Sequence, residues 1–329
     1  VYKRQLQDNG DHLLFLRSGP CARLTMITHP ESEGPSPGLP RETLGDMPNP
    51  LGLDGIEFIE YATARPLAFG QVLESMGFRA IARHRSREVV LYRQGSMNVI
   101  VNAHVEGAAP EGPADMPRIA AIALRVRNAA YAYQVLQDRG AWPVRSHVEV
   151  MELNIPAVHG VGHSQIYLID RYREFSIYDV DFVPIPAIDS RPPALAGMHF
   201  FGVVQYVGMG RSDDWVAFYA ELFGFQLMPQ DTRFGILPKG YVLESPCGQF
   251  FLQLIEPELD ALDINGEESL HRLAFGAPDV LELVRELGQR GVHFVESPIL
   301  HVEQKGALTQ PSMGGVSFEL VHHTARPAP

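Results

Sequence analysis

Apolar and polar residues alternate in a pattern that recurs along the chain. Each copy begins with a short strand-like run, continues into a helical pattern and ends in a glycine beside an apolar residue. The copies cover residues 55–78, 121–141, 199–225 and 271–292. Self-similarity of this kind indicates one structural unit that is used several times.

The helical patterns have the spacing of amphipathic helices. Apolar residues of the last two copies follow i, i+3, i+4, i+7, as Trp215, Phe218, Tyr219, Leu222 and as Val280, Leu283, Val284, Leu287. This spacing predicts helices with one buried face. Gly224 and Gly291 follow these patterns, where the end of a helix needs a residue that tolerates positive φ.

Further alternating runs follow each helical pattern, for example at 89–92, 99–101, 250–254 and 316–320. They give about four strands and one helix per copy, hence four β-α-β-β-β units. One unit leaves a sheet face uncovered, so we expect units to pair into curved half-barrels with their helices outside. The predicted fold class is α+β, with four units in two half-barrel domains.

Composition places the domain boundaries. Residues 1–46 are rich in Pro, Gly and Glu towards their end, and we expect a disordered leader. The first five residues, VYKRQ, resemble translated adapter DNA, which makes an artefactual origin one interpretation. We expect a structural domain over 47–183, a Pro-rich linker over 184–193 and a domain with the functional site over 194–329.

Net charge and cysteine content make several classes of protein unlikely candidates for this chain. The formal net charge is −12, which disfavours binding to nucleic acid or to an anionic membrane surface. Cys21 and Cys247 lie far apart, so we expect no structural disulfide and a cytoplasmic location. No apolar run approaches the ~20 residues that a membrane-spanning helix needs.

Several stretches in the first half carry a family resemblance. They are NPLGL at 49–53, EFIE at 57–60, HRS at 84–86, LYRQG at 91–95, MELNIPA at 151–157, YLIDR at 167–171 and SIYDVDF at 176–182. With these stretches, residues 49–183 resemble the bacterial 4-hydroxyphenylpyruvate dioxygenase family of the vicinal oxygen chelate superfamily. That superfamily is built from paired β-α-β-β-β units, in agreement with the repeats.

The resemblance implies an enzyme of tyrosine catabolism. In this family Fe(II) is the cofactor, and the C-terminal half holds it with two histidines and one glutamate. An aryl-pyruvate chelates the iron, O2 decarboxylates it oxidatively, and ring hydroxylation gives homogentisate. The sister activity, hydroxymandelate synthase, shares the fold and stays open, as does assembly into a homo-oligomer.

Carried onto this sequence, the resemblance implies His199, His271 and Glu319 as iron ligands. It implies Gln253, Phe201 and Phe251 as the residues that orient the substrate. Counting without gaps, however, places Gly202 and Arg272 at the two histidine positions. A side chain one residue away points to the opposite face of a regular strand, so His271 reaches the iron only if the strand shifts or bulges.

A second interpretation therefore remains open. In this interpretation Arg272 replaces the charge of the metal and pairs with Glu319. The chain would then be a metal-free relative that binds a small aromatic or keto acid through Arg272. Near the end of the chain, we expect His322 and His323 to be solvated, although His323 lies on the same side of its strand as Glu319.

Overall fold

The computed structural model describes residues 49–103, 116–145, 153–230, 232, 240–256, 268–295 and 306–325. The predicted leader over 1–46 lies outside these residues. Across the part of the chain that is described, no helix combines the length and the apolar character that crossing a membrane requires.

The N-terminal sheet has eight strands in the order β6-β7-β5-β1-β4-β3-β2-β8. Its strands are β1 Leu53–Ala62, β2 Arg79–His84, β3 Val89–Gln94, β4 Met97–Asn102, β5 Arg118–Val126, β6 Ala157–His159, β7 Gln165–Ile169 and β8 Phe182–Pro184. Its helices are α1 Pro66–Ser75, α2 Ala129–Asp138 and the short α3 Tyr178–Asp181.

The C-terminal sheet has seven strands in the order β10-β11-β12-β9-β13-β15-β14. Its strands are β9 His199–Tyr206, β10 Gln226–Leu227, β11 Tyr241–Glu244, β12 Phe251–Ile255, β13 Ser269–Ala277, β14 Gly306–Leu308 and β15 Phe318–His322. Its helices are α4 Ser212–Phe218, which continues into a π-helical turn Tyr219–Phe223, and α5 Val280–Gln289.

Strand pairing reproduces the predicted units. In each unit the first strand pairs in parallel with the last strand, as β1 with β4, β5 with β7, β9 with β12 and β13 with β15. The antiparallel pairs β1–β5 and β9–β13 then join two units in each sheet. In the second and fourth units, one predicted strand is reduced to an isolated pairing, Pro143 with Val158 and Phe294 with Thr309. The α+β fold with paired units is confirmed.

The ends of the helices agree with the sequence pattern. Gly224 has φ 79° after the π-helical turn, and Gly291 has φ 88° after α5. Both values lie in the left-handed region that glycine adopts without steric cost. The third unit departs from a regular helical period, because its helix widens at Tyr219, whose hydroxyl donates a hydrogen bond to the buried Gln205 Oε1 at 2.7 Å.

The two faces of the C-terminal sheet differ in what covers them. One face packs against the helices, where Leu273 and Phe275 of β13 join the main apolar core with Leu283 of α5. The opposite face, called the inner face below, carries a separate apolar cluster of Phe201, Val204, Val242, Ala274 and Val321. Because side chains alternate along a strand, the residues next to Leu273 on β13 point to the inner face.

The main apolar core also joins the two sheets. The rings of Phe78, which follows α1, and Phe275 of β13 have centroids 5.9 Å apart. The boundaries expected at 183 and 194 stay a prediction.

Candidate ligand site on the C-terminal sheet

Three rows of residues cross the inner face, because strand pairing places them side by side. We name each row after one of its members. The Arg272 row is Gln253, Val204, Arg272; the Glu319 row is Phe251, Gly202, Ala274, Glu319; the His199 row is His199, Gly276, Val321. The residues predicted to contact the substrate therefore all lie on the inner face. Gln253 and Arg272 belong to the Arg272 row, Phe251 belongs to the adjacent Glu319 row, and Phe201 lies beside that row.

Arg272 and Glu319 form a buried ion pair between neighbouring strands. The Nε atom of Arg272 lies 3.7 Å from Oε2 of Glu319, and the two residues are 5% and 0% exposed. Among the described residues, neither Nε nor Nη2 of Arg272 has a hydrogen-bond partner. Burying a guanidinium is costly unless its donors are used, so this edge of Arg272 can bind an anionic acceptor strongly.

A β-bulge decides where His271 points. In the pairing with β9, Leu270 opposes Gln205 and Arg272 opposes Val204, so His271 is the extra residue. The bulge overcomes the one-residue offset and lets the His271 ring stack on Tyr206, with centroids 4.0 Å apart and planes at 14°. Desolvation of the ring, helped by the charge of Arg272, lowers the pKa of His271 to about 4, although part of the residue is exposed to solvent.

His199 contacts another histidine. Its Nε2 atom lies 2.9 Å from Nδ1 of His323, and its Nδ1 atom lies 3.1 Å from the carbonyl oxygen of Gly197. Burial lowers the pKa of His199, while the hydrogen bond with the Gly197 carbonyl opposes that shift. The structure therefore brings His199 together with His323, which belongs to neither of the predicted ligand sets.

Aromatic side chains border the Glu319 row. The rings of Phe201 and Phe251 lie 4.9 Å apart, and the ring of His323 lies 4.9 Å from Phe201. Phe201 points to the inner face because a second irregularity in the β9–β13 pairing makes it an extra residue. Gln253, which is 1% exposed, lies on the same face.

The three residues that the resemblance implied as ligands do not fit a ferrous ion as they are arranged. His199 contacts His323 in one row, Glu319 faces a guanidinium in the next row, and His271 stacks on an aromatic ring. No three His, Cys, Asp or Glu side chains converge within the described ranges. A cation bound by Glu319 would also be repelled by Arg272.

His323 is the residue whose contact the sequence pattern missed. We expected both terminal histidines to be solvated, yet His322 is exposed whereas His323 is half-buried against His199. The one available signal was its position on the same side of β15 as Glu319. That spacing could not reveal the partner, because His199 lies 124 residues earlier.

Comparison with known proteins identifies the family of this chain. Residues 47–183 match the family described as Hydroxyphenylpyruvate dioxygenase, HPPD, N-terminal. Residues 203–320 match the Glyoxalase/Bleomycin resistance protein/Dioxygenase superfamily. The two matches cover the two sheets, so the superfamily resemblance seen in the repeats is confirmed.

Individual relatives agree with this result. The 4-hydroxyphenylpyruvate dioxygenase of Pseudomonas sp. (strain P.J. 874) is 34% identical over 267 residues, which are 76% of this chain and 73% of that protein. The 3-dehydroshikimate dehydratase of Pseudomonas aeruginosa is 33% identical over 277 residues, which are 79% of this chain but 43% of that protein.

A solved structure agrees as well. A xylose isomerase-like TIM barrel/4-hydroxyphenylpyruvate dioxygenase fusion protein superimposes with a TM-score of 0.66 and 27% identity, over 84% of this chain and 50% of that one. The family match, the identity to a dioxygenase over most of its length and the shared fold lead to one conclusion. The chain belongs to the 4-hydroxyphenylpyruvate dioxygenase family.

Proposed function

We propose that this chain binds a small aromatic keto acid on the inner face of its C-terminal sheet, through Arg272 and without a ferrous ion on Glu319. The observation that carries the proposal is the buried guanidinium, whose Nε and Nη2 have no hydrogen-bond partner among the described residues. A carboxylate would accept hydrogen bonds from both atoms, since the planar guanidinium matches its geometry.

Glu319 supports this role by holding the guanidinium in place. Its carboxylate lies on the neighbouring strand, 3.7 Å from Nε, which balances charge but is too long for a hydrogen bond. Charge balance makes it possible to keep Arg272 buried before a ligand arrives. The donor atoms nevertheless remain available for a closer acceptor.

The Glu319 row offers a place for the rest of the ligand. Gly202 and Ala274, which have little or no side chain, separate Phe251 from Glu319. Because these two residues have little side chain, they would present little steric hindrance to an aromatic ring that approaches the pair Phe201 and Phe251, and offset or tilted ring contacts are favourable. A carboxylate on Arg272 and a ring on this aromatic pair describe an aryl keto acid.

Calorimetric titration with phenylpyruvate in the presence of a metal chelator tests the proposal. We expect the wild-type protein to bind, Arg272→Met to lose binding, and Arg272→Lys to bind more weakly because an ammonium cannot make the two parallel hydrogen bonds. His163→Gln, at an exposed position outside the inner face, serves as the matched control. Equal binding by wild type and Arg272→Met, both folded by circular dichroism, would exclude the proposal.

A second candidate function follows from the relatives. Proteins named 4-hydroxyphenylpyruvate dioxygenase share 32–34% identity with this chain over most of their length. An Fe(II)-dependent conversion of an aryl-pyruvate and O2 to homogentisate and CO2 is therefore the alternative. An assay separates the two candidate functions: the protein is loaded with Fe(II) anaerobically, 4-hydroxyphenylpyruvate and O2 are added, and homogentisate is measured. Product formation that Glu319→Gln abolishes would favour the dioxygenase.

A further inference from the structure

The geometry points to a binding site for a small aliphatic carboxylate in a cavity between the linker, the end of α1 and the end of α5, called the linker cavity below. The cavity has a volume of about 510 Å³. This volume lies in the range of small-molecule pockets, which often form where domains meet. The lining includes Glu74, Arg79, Ile185, Ile188, Leu195 and Arg290. These residues belong to none of the three rows of the inner face, so the site does not depend on the proposed keto-acid binding.

Two guanidinium groups line the cavity without a partner. Arg79 begins β2 and Arg290 follows α5, and both side chains are exposed. Neither side chain makes a hydrogen bond or an ion pair with another described residue. A guanidinium binds a carboxylate through parallel hydrogen bonds, so either group can accept one without first giving up a contact.

The charges of the lining favour a ligand with one negative charge. Among the described residues that line the cavity, two are cationic and one, Glu74, is acidic, which leaves an excess of one positive charge. The whole chain has a formal net charge of −12, so this cavity differs in sign from the protein around it. A monocarboxylate would neutralise the excess, whereas a ligand with two charges would exceed it.

The rest of the wall is aliphatic. Ile185, Ile188 and Leu195 line the cavity together with prolines and alanines, and Ile188 is 41% exposed, so a ligand can still cover it. Phe78 also belongs to the lining, but it is 1% exposed and its ring packs on Phe275, which leaves little of it for a ligand to stack on. Because burial of apolar surface is favourable, these walls suit an alkyl chain.

Hydrogen bonds hold the linker in place as one wall of the cavity. The backbone N–H of Gly95 donates to the carbonyl of Pro192 at 2.8 Å, and the N–H of Leu195 donates to Gln94 Oε1 at 2.9 Å. Ala196, which follows, has φ 44°, a left-handed conformation that a residue other than glycine keeps only where its surroundings impose it. The wall is therefore formed before a ligand binds, which lowers the ordering cost of binding.

The competing explanation is that the arginines have a structural role alone. Arg290 is the C-cap residue of α5, where a positive charge compensates the partial negative charge of the helix end. That role needs no ligand. It predicts that carboxylate binding does not depend on either arginine.

Calorimetric titration with octanoate tests the site. We expect saturable one-to-one binding that Arg79→Gln and Arg290→Gln each weaken by about two- to fivefold, the effect of an exposed ion pair, and that the double variant weakens further. Glu74→Gln should strengthen binding, because it removes a carboxylate that repels the ligand. The matched control is Arg285→Gln, which removes an exposed guanidinium of α5 that does not belong to the lining.

A series of ligands tests the two parts of the site separately. Lengthening the chain from butanoate to octanoate should strengthen binding by up to about fourfold for each methylene group that becomes buried. The neutral 1-octanol, which has no carboxylate, should bind equally to wild type and to the double arginine variant. An affinity that does not rise with chain length would exclude the aliphatic wall as part of the site.

Two further results would overturn the site: no saturable octanoate binding by wild type, or equal octanoate binding by wild type and the double arginine variant, both folded by circular dichroism. Phenylpyruvate binding separates this test from the proposed function, because it should be lost in Arg272→Met but unchanged in the double arginine variant. A protein that binds octanoate through Arg79 and Arg290 but binds no phenylpyruvate would refute only the proposed function.

Discussion

Arg272 and Glu319 face each other from neighbouring strands of the C-terminal sheet, with Nε 3.7 Å from Oε2 and both side chains buried. The glutamate is the residue that the family resemblance assigned to iron, and the arginine lies at a position where it implied a histidine. The carboxylate of Glu319 therefore lies beside the positively charged guanidinium of Arg272. This ion pair explains why a chain that belongs to the family does not arrange these residues as an iron site.

Double substitution of the pair should reveal its energetic coupling. We expect Arg272→Met or Glu319→Leu alone to reduce the free energy of unfolding by about 3–5 kcal/mol, because each leaves one buried charge uncompensated. The double variant should be close to wild type, since two apolar side chains need no partner. Chemical denaturation of the four proteins measures this, and additive losses would show that the two side chains do not interact.

Restoring histidines at the positions found by ungapped counting should create iron binding. Gly202 lies in the same row as Glu319, and Arg272 lies on the same face. We expect Gly202→His combined with Arg272→His to bind Fe(II) anaerobically, whereas wild type and the single variants bind less. Adding Glu319→Gln to the double variant should remove the iron again. A folded double variant without iron would show that these positions do not converge.

The periodicity of apolar residues in the sequence was sufficient to predict much of the fold. The i, i+3, i+4, i+7 spacing predicted α5, and alternation placed Glu319 opposite the residues of β15 that pack against the helices. The repeats gave the paired units, because each unit buries its apolar residues in the same way. These features are local, and they can therefore be deduced from neighbouring residues.

Other features depend on partners far along the chain. The bulge that turns His271 and Arg272 towards the same face exists only in the pairing of β13 with β9. The contact between His199 and His323 likewise joins the first and last parts of the sheet. Periodicity along one strand contains no information about such pairings. The sequence alone therefore could not show to which face of the sheet the side chain of His271 points.

The N-terminal sheet offers a test of buried charge. Glu60 of β1 accepts a hydrogen bond from Asn102 Nδ2 at 2.9 Å. Burial raises the pKa of Glu60 above its ordinary 4.5, although Asn102 and two arginines oppose the shift. A raised carboxyl pKa contributes stability below the unfolded pKa, and this contribution is lost as pH rises through the folded pKa.

Relative to wild type, Glu60→Gln should therefore become more stable as pH rises above the ordinary pKa of the carboxyl, because only the wild type has a carboxylate whose charge burial disfavours. The advantage should shrink on acidification towards the ordinary pKa of the carboxyl, where wild-type Glu60 is protonated as well. Urea denaturation midpoints at several pH values measure this difference. An advantage for the variant that stays constant with pH would contradict the role assigned to burial.

The start of α5 provides a local prediction. Asp279 Oδ1 accepts a hydrogen bond from the backbone N–H of Glu282 at 3.0 Å and thereby caps the helix. Asp279→Ala should reduce the free energy of unfolding by about 1 kcal/mol, while Asp279→Asn, which retains the accepting oxygen, should change it little. Denaturant unfolding compares the three proteins; equal losses for alanine and asparagine would argue against capping.

A crystal structure of the protein grown with phenylpyruvate and a metal chelator would show whether Arg272 binds the ligand. We expect the ligand carboxylate to lie within hydrogen-bonding distance of Nε and Nη2 of Arg272, with the ring against Phe201 and Phe251. A ligand bound elsewhere, or one that binds only when Fe(II) is supplied and chelates that ion beside Glu319, would contradict this expectation.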